Sequence, residues 1–264
     1  MNVMFGTTEY KELIDLKPSG FYKLVSESAE HPTTSQPTQH DLLKAYEQYG
    51  TKYDEIISIH LSSELSGAYA NARMAKKMFE KSNPDGAKVY LVDSLLASVP
   101  FGLVAIKAAQ IAKQGLNAEA IIEKITHFML NDDLIYFTVK DIKWLFEGGR
   151  LSKAKYFLGK LMSVNPILSL IEGKIESVGK ASGIDKTLDA MLEMAIKKFD
   201  GDVSNITLHF IEAETRAEVE EFISKIKEKY PTIKIGEIFT FGGAICSHTG
   251  PGTIALAATR NFEY

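Results

Sequence analysis

This chain of 264 residues has little of what covalent, metal or nucleic-acid chemistry needs. Cysteine occurs once, at Cys246, so no internal disulfide can form, which suits a reducing compartment. The six histidines are scattered without ligand spacing, which argues against a zinc-type site. Positive charge is not in excess. Thirty Lys and Arg against 34 Asp and Glu give a net charge of −4, without the footprint of a nucleic-acid binder. Long hydrophobic runs are missing too. The longest apolar region, Leu95 to Ala112, contains Pro100 and Lys107 and is too short and polar for a membrane span. The start, MNVMFGTTEYKEL, lacks the basic and apolar regions of a signal peptide. No Gly-x-x-x-x-Gly-Lys-Ser/Thr motif supports a P-loop kinase. No Gly-x-Ser-x-Gly elbow supports a serine hydrolase built on Ser62 or Ser66 with His248, and no acid partner is evident. The expectation is a soluble cytoplasmic protein with no metal and no cofactor.

What is present is an ordinary globular balance, 45% hydrophobic and 24% charged, on a chain long enough for two lobes. Ile56 to Leu61 and Val89 to Val92 read as buried strands, and Leu134 to Val139 as a third. Between them Leu65, Tyr69, Ala72, Ala75 and Phe79 follow helical spacing, as do Ile121, Ile122, Ile125 and Phe128. Asp93-Ser94 and Asn117 are candidate helix caps. This alternation predicts a parallel-sheet α/β lobe over about 1–155. The second half, about 156–264, predicts an α+β lobe with a mixed, mainly antiparallel sheet. It has a hairpin across Glu172-Gly173-Lys174, strands over 206–211 and 233–241, and helices carrying Leu188 to Phe199 and Val219 to Tyr230. Segments are allowed to cross between the lobes.

Four clusters of hydroxyls and glycines stand at element ends. They are His31-Pro32-Thr33-Thr34-Ser35-Gln36-Pro37, Ser62-Ser63-Glu64-Leu65-Ser66-Gly67, Glu147-Gly148-Gly149-Arg150-Leu151-Ser152, and Ser247-His248-Thr249-Gly250-Pro251-Gly252. Ligands of α/β folds bind beyond the carboxyl ends of strands, and helix-start N–H groups with nearby hydroxyls attract anions. Taken singly, each cluster also has a plain reading. Ser62-Ser63 can be an N-cap, Thr34 to Pro37 a turn and Gly148-Gly149 a helix end, with His248 a structural histidine.

Taken together, "TTSQPT", "SSELSGAY", "VDSLLAS", "FEGGRLSKA", "NPILSLIEGKI" and "HTGPG" resemble the DegV family, in the family's order from about Thr33 to Gly252. The resemblance implies a fold similar to the dihydroxyacetone-binding part of dihydroxyacetone kinase, with a lipid pocket between two lobes. It implies a carrier without catalysis: a long-chain fatty acid is held while a separate fatty acid kinase catalytic subunit phosphorylates its carboxylate for phospholipid synthesis. By the same resemblance Thr34, Ser62, Ser63 and His248 approach the carboxylate. Ser66, Gly67, Ser94, Gly149, Arg150, Thr249 and Gly250 face the pocket or the partner. Phe101, Val104, Leu158, Leu161, Met162, Ile167 and Ile245 are candidates to line the tail tunnel. The alternative is a phosphotransferase or ketone-binding kinase subunit related to dihydroxyacetone kinase, by fold analogy alone.

The chain departs from the family pattern in three places. It starts at what looks like the family's second strand, without the first strand and helix. Pro100 stands where a glycine is common. Lys180-Ala181-Ser182-Gly183 replaces a segment that usually carries an arginine, and this bears on pairing with a kinase.

Overall fold

The computed structural model describes residues 1–28, 30–151 and 164–260. The chain divides into two compact units that interleave along the sequence. One comprises Met1–Ser35, Asp132–Ile171 and Ile175–Tyr264, and the other Gln36–Asn131 and Glu172–Lys174. This replaces a single boundary near residue 155. The physical reason is that the strand after Asp132 pairs with the last strand of the chain, while the N-terminal strands pack on a C-terminal helix.

The first unit begins with β1 (Asn2–Phe5), β2 (Thr8–Lys11), α1 (Pro18–Glu27) and β3 (Thr33–Ser35). The three strands form an antiparallel sheet in the order β2-β1-β3, which pairs Thr34 with Val3.

The second unit follows with α2 (Gln39–Gly50), β4 (Glu55–His60), α3 (Ala68–Ser82), β5 (Lys88–Asp93), α4 (Ser98–Ala112) and α5 (Ala118–Asn131). A capping box starts α2. Thr38 accepts from the Asp41 amide, and the Asp41 carboxylate accepts from the Thr38 amide. Tyr46, Ala75, Phe79, Ala87 and Val89 form this unit's buried cluster, so helical spacing on α3 and alternation on β5 meet at one core. β4 and β5 run parallel as expected, and their register places His60 beside Asp93 at the carboxyl ends. Asn117 caps α5, accepting from the Ala120 amide at 3.0 Å. Asp93-Ser94 does not cap α4, which starts four residues after Ser94. Asp93 Oδ1 instead accepts from the amides of Ser63 and Leu95, tying together the loops after β4 and β5.

The remainder of the first unit is built on a six-stranded sheet. Its strands are β6 (Asp133–Thr138), β7 (Asn165–Ile171), β8 (Lys174–Ala181), β9 (Ile206–Glu212), β10 (Lys234–Thr240) and β11 (Ile254–Arg260), in the order β10-β9-β11-β6-β7-β8. β9 and β10 are parallel, while β9-β11, β11-β6 and β6-β7 are antiparallel. The fold is therefore α/β with both parallel and antiparallel sheets. β6 corrects the expectation of a third parallel strand. Its partner is β11, the alanine-rich run near the end of the chain, which occupies the middle of the sheet. Ile254, Leu256 and Ala258 of β11 alternate toward a core completed by Met191 and Leu192 of α7 (Ile184–Lys198) and Val219 and Phe222 of α8 (Arg216–Lys229). The hairpin at 172–174 forms as predicted, with Glu172 and Gly173 both at positive φ (48° and 79°), the geometry of a type I′ turn.

Candidate functional site

In the first unit, two short helices bring three of the motif residues together. α6 (Lys143–Glu147) ends at Gly148, and Gly149 at φ 71° lets the chain reverse. The amides of Arg150 and Leu151 then both donate back to Leu145 O. This reversal folds Arg150 onto its own turn, where Nη1 donates to Gly148 O at 2.6 Å. α9 (Gly243–Thr249) carries His248 in its last turn and stops at Gly250, φ 77°. His248 Nδ1 lies 3.4 Å from Arg150 Nη1, and His248 Nε2 lies 2.8 Å from Thr34 Oγ1 on β3.

Donor chemistry fixes the direction of these bonds. A guanidinium has only donors, so the Arg150 contact needs a lone pair on Nδ1. The ring proton then sits on Nε2 and is donated to Thr34 Oγ1. The Thr34 hydroxyl, already serving as an acceptor, keeps its own proton for a third group. The Gly148 carbonyl would favour the other tautomer, but it is already occupied by Arg150 at 2.6 Å. Burial lowers the His248 pKa to about 4, with Arg150 and then His31 adding to the effect. The ring is thus neutral at pH 7 in the ligand-free protein. Burial also lowers the Arg150 pKa. What results is a half-buried cation, a neutral imidazole and a polarised hydroxyl. This set donates toward an anion and, among the described residues, contains no nucleophile–base pair.

Glycine is required where these groups approach. A Cβ on Gly148 would overlap the His248 ring at Nδ1, and one on Gly250 would overlap the Trp144 indole. Thr249 turns inward, its hydroxyl donating to Ile245 O at 3.4 Å, so it and Gly250 shape the turn. Trp144, which no motif singled out, also belongs to this cluster, together with His31 and Glu147 from the motif ends. His31 packs against Trp144 with ring centroids 4.8 Å apart, and its Nδ1 lies 3.4 Å from Glu147 Oε2. The available signals were that Trp144 is the sole tryptophan and stands one helical turn before Glu147.

In the second unit the Ser62–Gly67 motif forms a tight loop. Ser62 is fully buried, donates its hydroxyl to Gly173 O at 2.8 Å and accepts from the Glu64 amide at 3.2 Å. It anchors the 172–174 turn, reinforced by Lys174 at 3.4 Å from Glu64. Ser63 is exposed, and its amide is held by Asp93 at 3.1 Å. Ser66 Oγ accepts from the Ala68 amide at the start of α3, and a Cβ on Gly67 would press on the Gln36 side chain. Ser94 is buried, and its hydroxyl accepts from the Leu96 amide at 3.1 Å. The structure thus unites Thr34, Arg150 and His248, whereas Ser62, Ser63, Ser66, Gly67 and Ser94 belong to the other unit.

Of the tail candidates, Ile167 packs in the core with α7 and α8, and Val104 is buried in α4. Phe101 and Ile245 are partly buried. Leu158, Leu161 and Met162 lie outside the described residues.

Residues 1–261 match the family model described as "Uncharacterised protein, DegV family COG1307". The chain belongs to the DegV family. It is 34% identical to Protein DegV of Bacillus subtilis over 97% of this chain and 89% of that one. It is 32% identical to a protein of Thermotoga maritima named fatty acid-binding protein, over 95% of this chain and 85% of the relative. The solved structure of DegV from B. subtilis, described as a fatty acid binding protein, superposes with a TM-score of 0.86 at 32% identity, covering 98% of this chain and 89% of that one. Family membership accounts for the order of the motifs. The cluster of Thr34, Arg150 and His248 shows what part of them does in space.

Proposed function

We propose that this protein binds a long-chain fatty acid and holds its carboxylate at the Thr34–His248–Arg150 cluster. The observation that carries the reading is the donor arrangement there. Thr34 keeps a free hydroxyl proton because His248 donates to its oxygen, and Arg150 supplies the nearby charge. A carboxylate removed from water needs such donors, and hydrogen bonds to an ionised group are the stronger kind. Relatives named for fatty-acid binding supply the ligand class. Burial of about fourteen methylenes contributes on the order of 11 kcal/mol before association costs, enough to hold a tail whose head is fixed by a few bonds.

The protein acts in this reading as a carrier without chemistry of its own. It presents the carboxylate to a separate fatty acid kinase, and the acyl phosphate feeds phospholipid synthesis. A half-buried set of donors around one cation, with no nucleophile–base pair among the described residues, suits binding and presentation better than turnover. Native mass spectrometry of freshly purified protein tests this directly. The expected spectrum contains a mass increment of one long-chain fatty acid. A ligand-free protein that hydrolyses nucleotide by itself contradicts the carrier.

A further inference from the structure

Beside the Thr34–His248 pair stands a second histidine with an unusual set of contacts. His31 Nδ1 lies 3.4 Å from Glu147 Oε2. A carboxylate only accepts, so this contact places a proton on Nδ1 and leaves Nε2 of the neutral ring as a bare acceptor. That Nε2 is buried and has no hydrogen-bond partner among the described residues. The ring is held on two sides. Trp144 packs against it in a tilted contact with centroids 4.8 Å apart, and Glu147 is itself steadied by Lys143 at 3.3 Å. Trp144 also closes against Gly250 of the turn that follows His248. Among the described residues, Glu147 faces His31 and is paired with Lys143, while His248, beside Arg150, is the other titratable group that His31 acts on. Glu30, its chain neighbour, turns its carboxylate toward Gly6. His31 lies close enough to His248 for a charge on its ring to act there.

A buried acceptor without a donor is unfavourable unless something supplies a proton. Imidazole is the side chain that changes charge in the physiological range. We propose that His31 is a further ligand-reading residue of this site: as a carboxylate binds, Nε2 takes up a proton, and the imidazolium, backed by Glu147 and packed against Trp144, supplies the charge that retains an ionised acid. The balance is one proton taken from solvent and one N–H bond formed at Nε2 for each acid bound. No bond in the acid breaks. The inference rests on the fatty-acid reading and deepens it. The site would select carboxylates over alcohols or esters, and would bind them more tightly as pH falls.

The test uses full-length protein and palmitate. Two-bond 1H–15N correlation spectra of the histidine rings are recorded with and without ligand, with His31 assigned by the signal missing from His31→Gln. The expected result is a neutral His31 with a bare Nε2 in the free protein and an imidazolium in the complex. Titrations across pH 6 to 8.5 should show palmitate affinity falling by up to about tenfold per pH unit, a slope that His31→Gln flattens. A His31 that stays neutral with palmitate bound overturns the inference and leaves the fatty-acid reading standing. So does a His31→Gln variant that keeps the wild-type slope. Failure of the wild type to bind palmitate at any of these pH values overturns both.

Discussion

Gly148→Ala and Gly149→Ala differ by one position and should separate stability from binding. At Gly148 φ is −68°, so alanine is tolerated by the backbone, but its methyl would strike His248 Nδ1 with Trp144 O 3.0 Å away on another side. Ordinary van der Waals spacing requires the imidazole to retreat by about 1 Å. The Thr34–His248 bond, now 2.8 Å, would then be stretched past hydrogen-bond length. Overpacking should cost about 1–3 kcal/mol of stability, and loss of the Thr34–His248 alignment about one order of magnitude in fatty-acid affinity. At Gly149 the situation is reversed. Among the described residues nothing lies within 4 Å of a Cβ there, but φ is 71°, so alanine costs about 1–2 kcal/mol in backbone strain without touching His248. Urea denaturation and isothermal titration with palmitate measure the two quantities. Gly148→Ala is expected to lose both, and Gly149→Ala stability alone. Equal affinity in Gly148→Ala and wild type would refute the role given to the His248 position.

Asp133 is almost wholly buried, neither carboxylate oxygen has a well-aligned hydrogen bond among the described residues, and burial, only partly offset by the Leu134 amide, raises its pKa well above the usual carboxylate range. The folded form therefore keeps a proton that the unfolded chain releases, and stability falls as pH rises from about 4 toward the folded pKa. Asp133→Asn should flatten that fall in urea titrations and gain at least about 1 kcal/mol at pH 8, with little gain at pH 4. A variant that loses stability equally at both pH values would contradict this. Ser62→Ala should destabilise the protein by about 1–3 kcal/mol, because Gly173 O loses its buried donor. Thermal unfolding checks it, and an unchanged melting temperature would show that the bond is dispensable.

Much of this architecture is legible in the sequence because periodicity and turn chemistry are local. The helical spacing of Leu188 to Phe199 and Glu172-Gly173 between two apolar runs each specify an element without knowledge of its neighbours. Pairing is not local. β6 reads as one more strand of a parallel series, yet its partner lies more than a hundred residues away in β11, whose alanines carry too weak a strand signal to be noticed. The site divides the same way. Thr34, Arg150 and His248 stand out by motif, but Ser62 carries the same motif signal and spends its hydroxyl on the Gly173 carbonyl. His31, Trp144 and Glu147 come together only because α6 and the segment before β3 are brought side by side, which no spacing along the chain reveals.

The most direct measurement of the central claim is a paired titration of wild type and Thr34→Val with palmitate and with hexadecanol. Valine keeps the shape of threonine and removes only the hydroxyl that His248 polarises. The alcohol shares the tail but brings no ionised oxygen. If Thr34 reads the carboxylate, the variant loses a charge-assisted bond of roughly 1.5–3 kcal/mol. Palmitate affinity then falls by one to two orders of magnitude, and hexadecanol affinity changes much less. Equal losses for acid and alcohol, or palmitate binding untouched by the substitution, would contradict the assignment of this cluster as the carboxylate site.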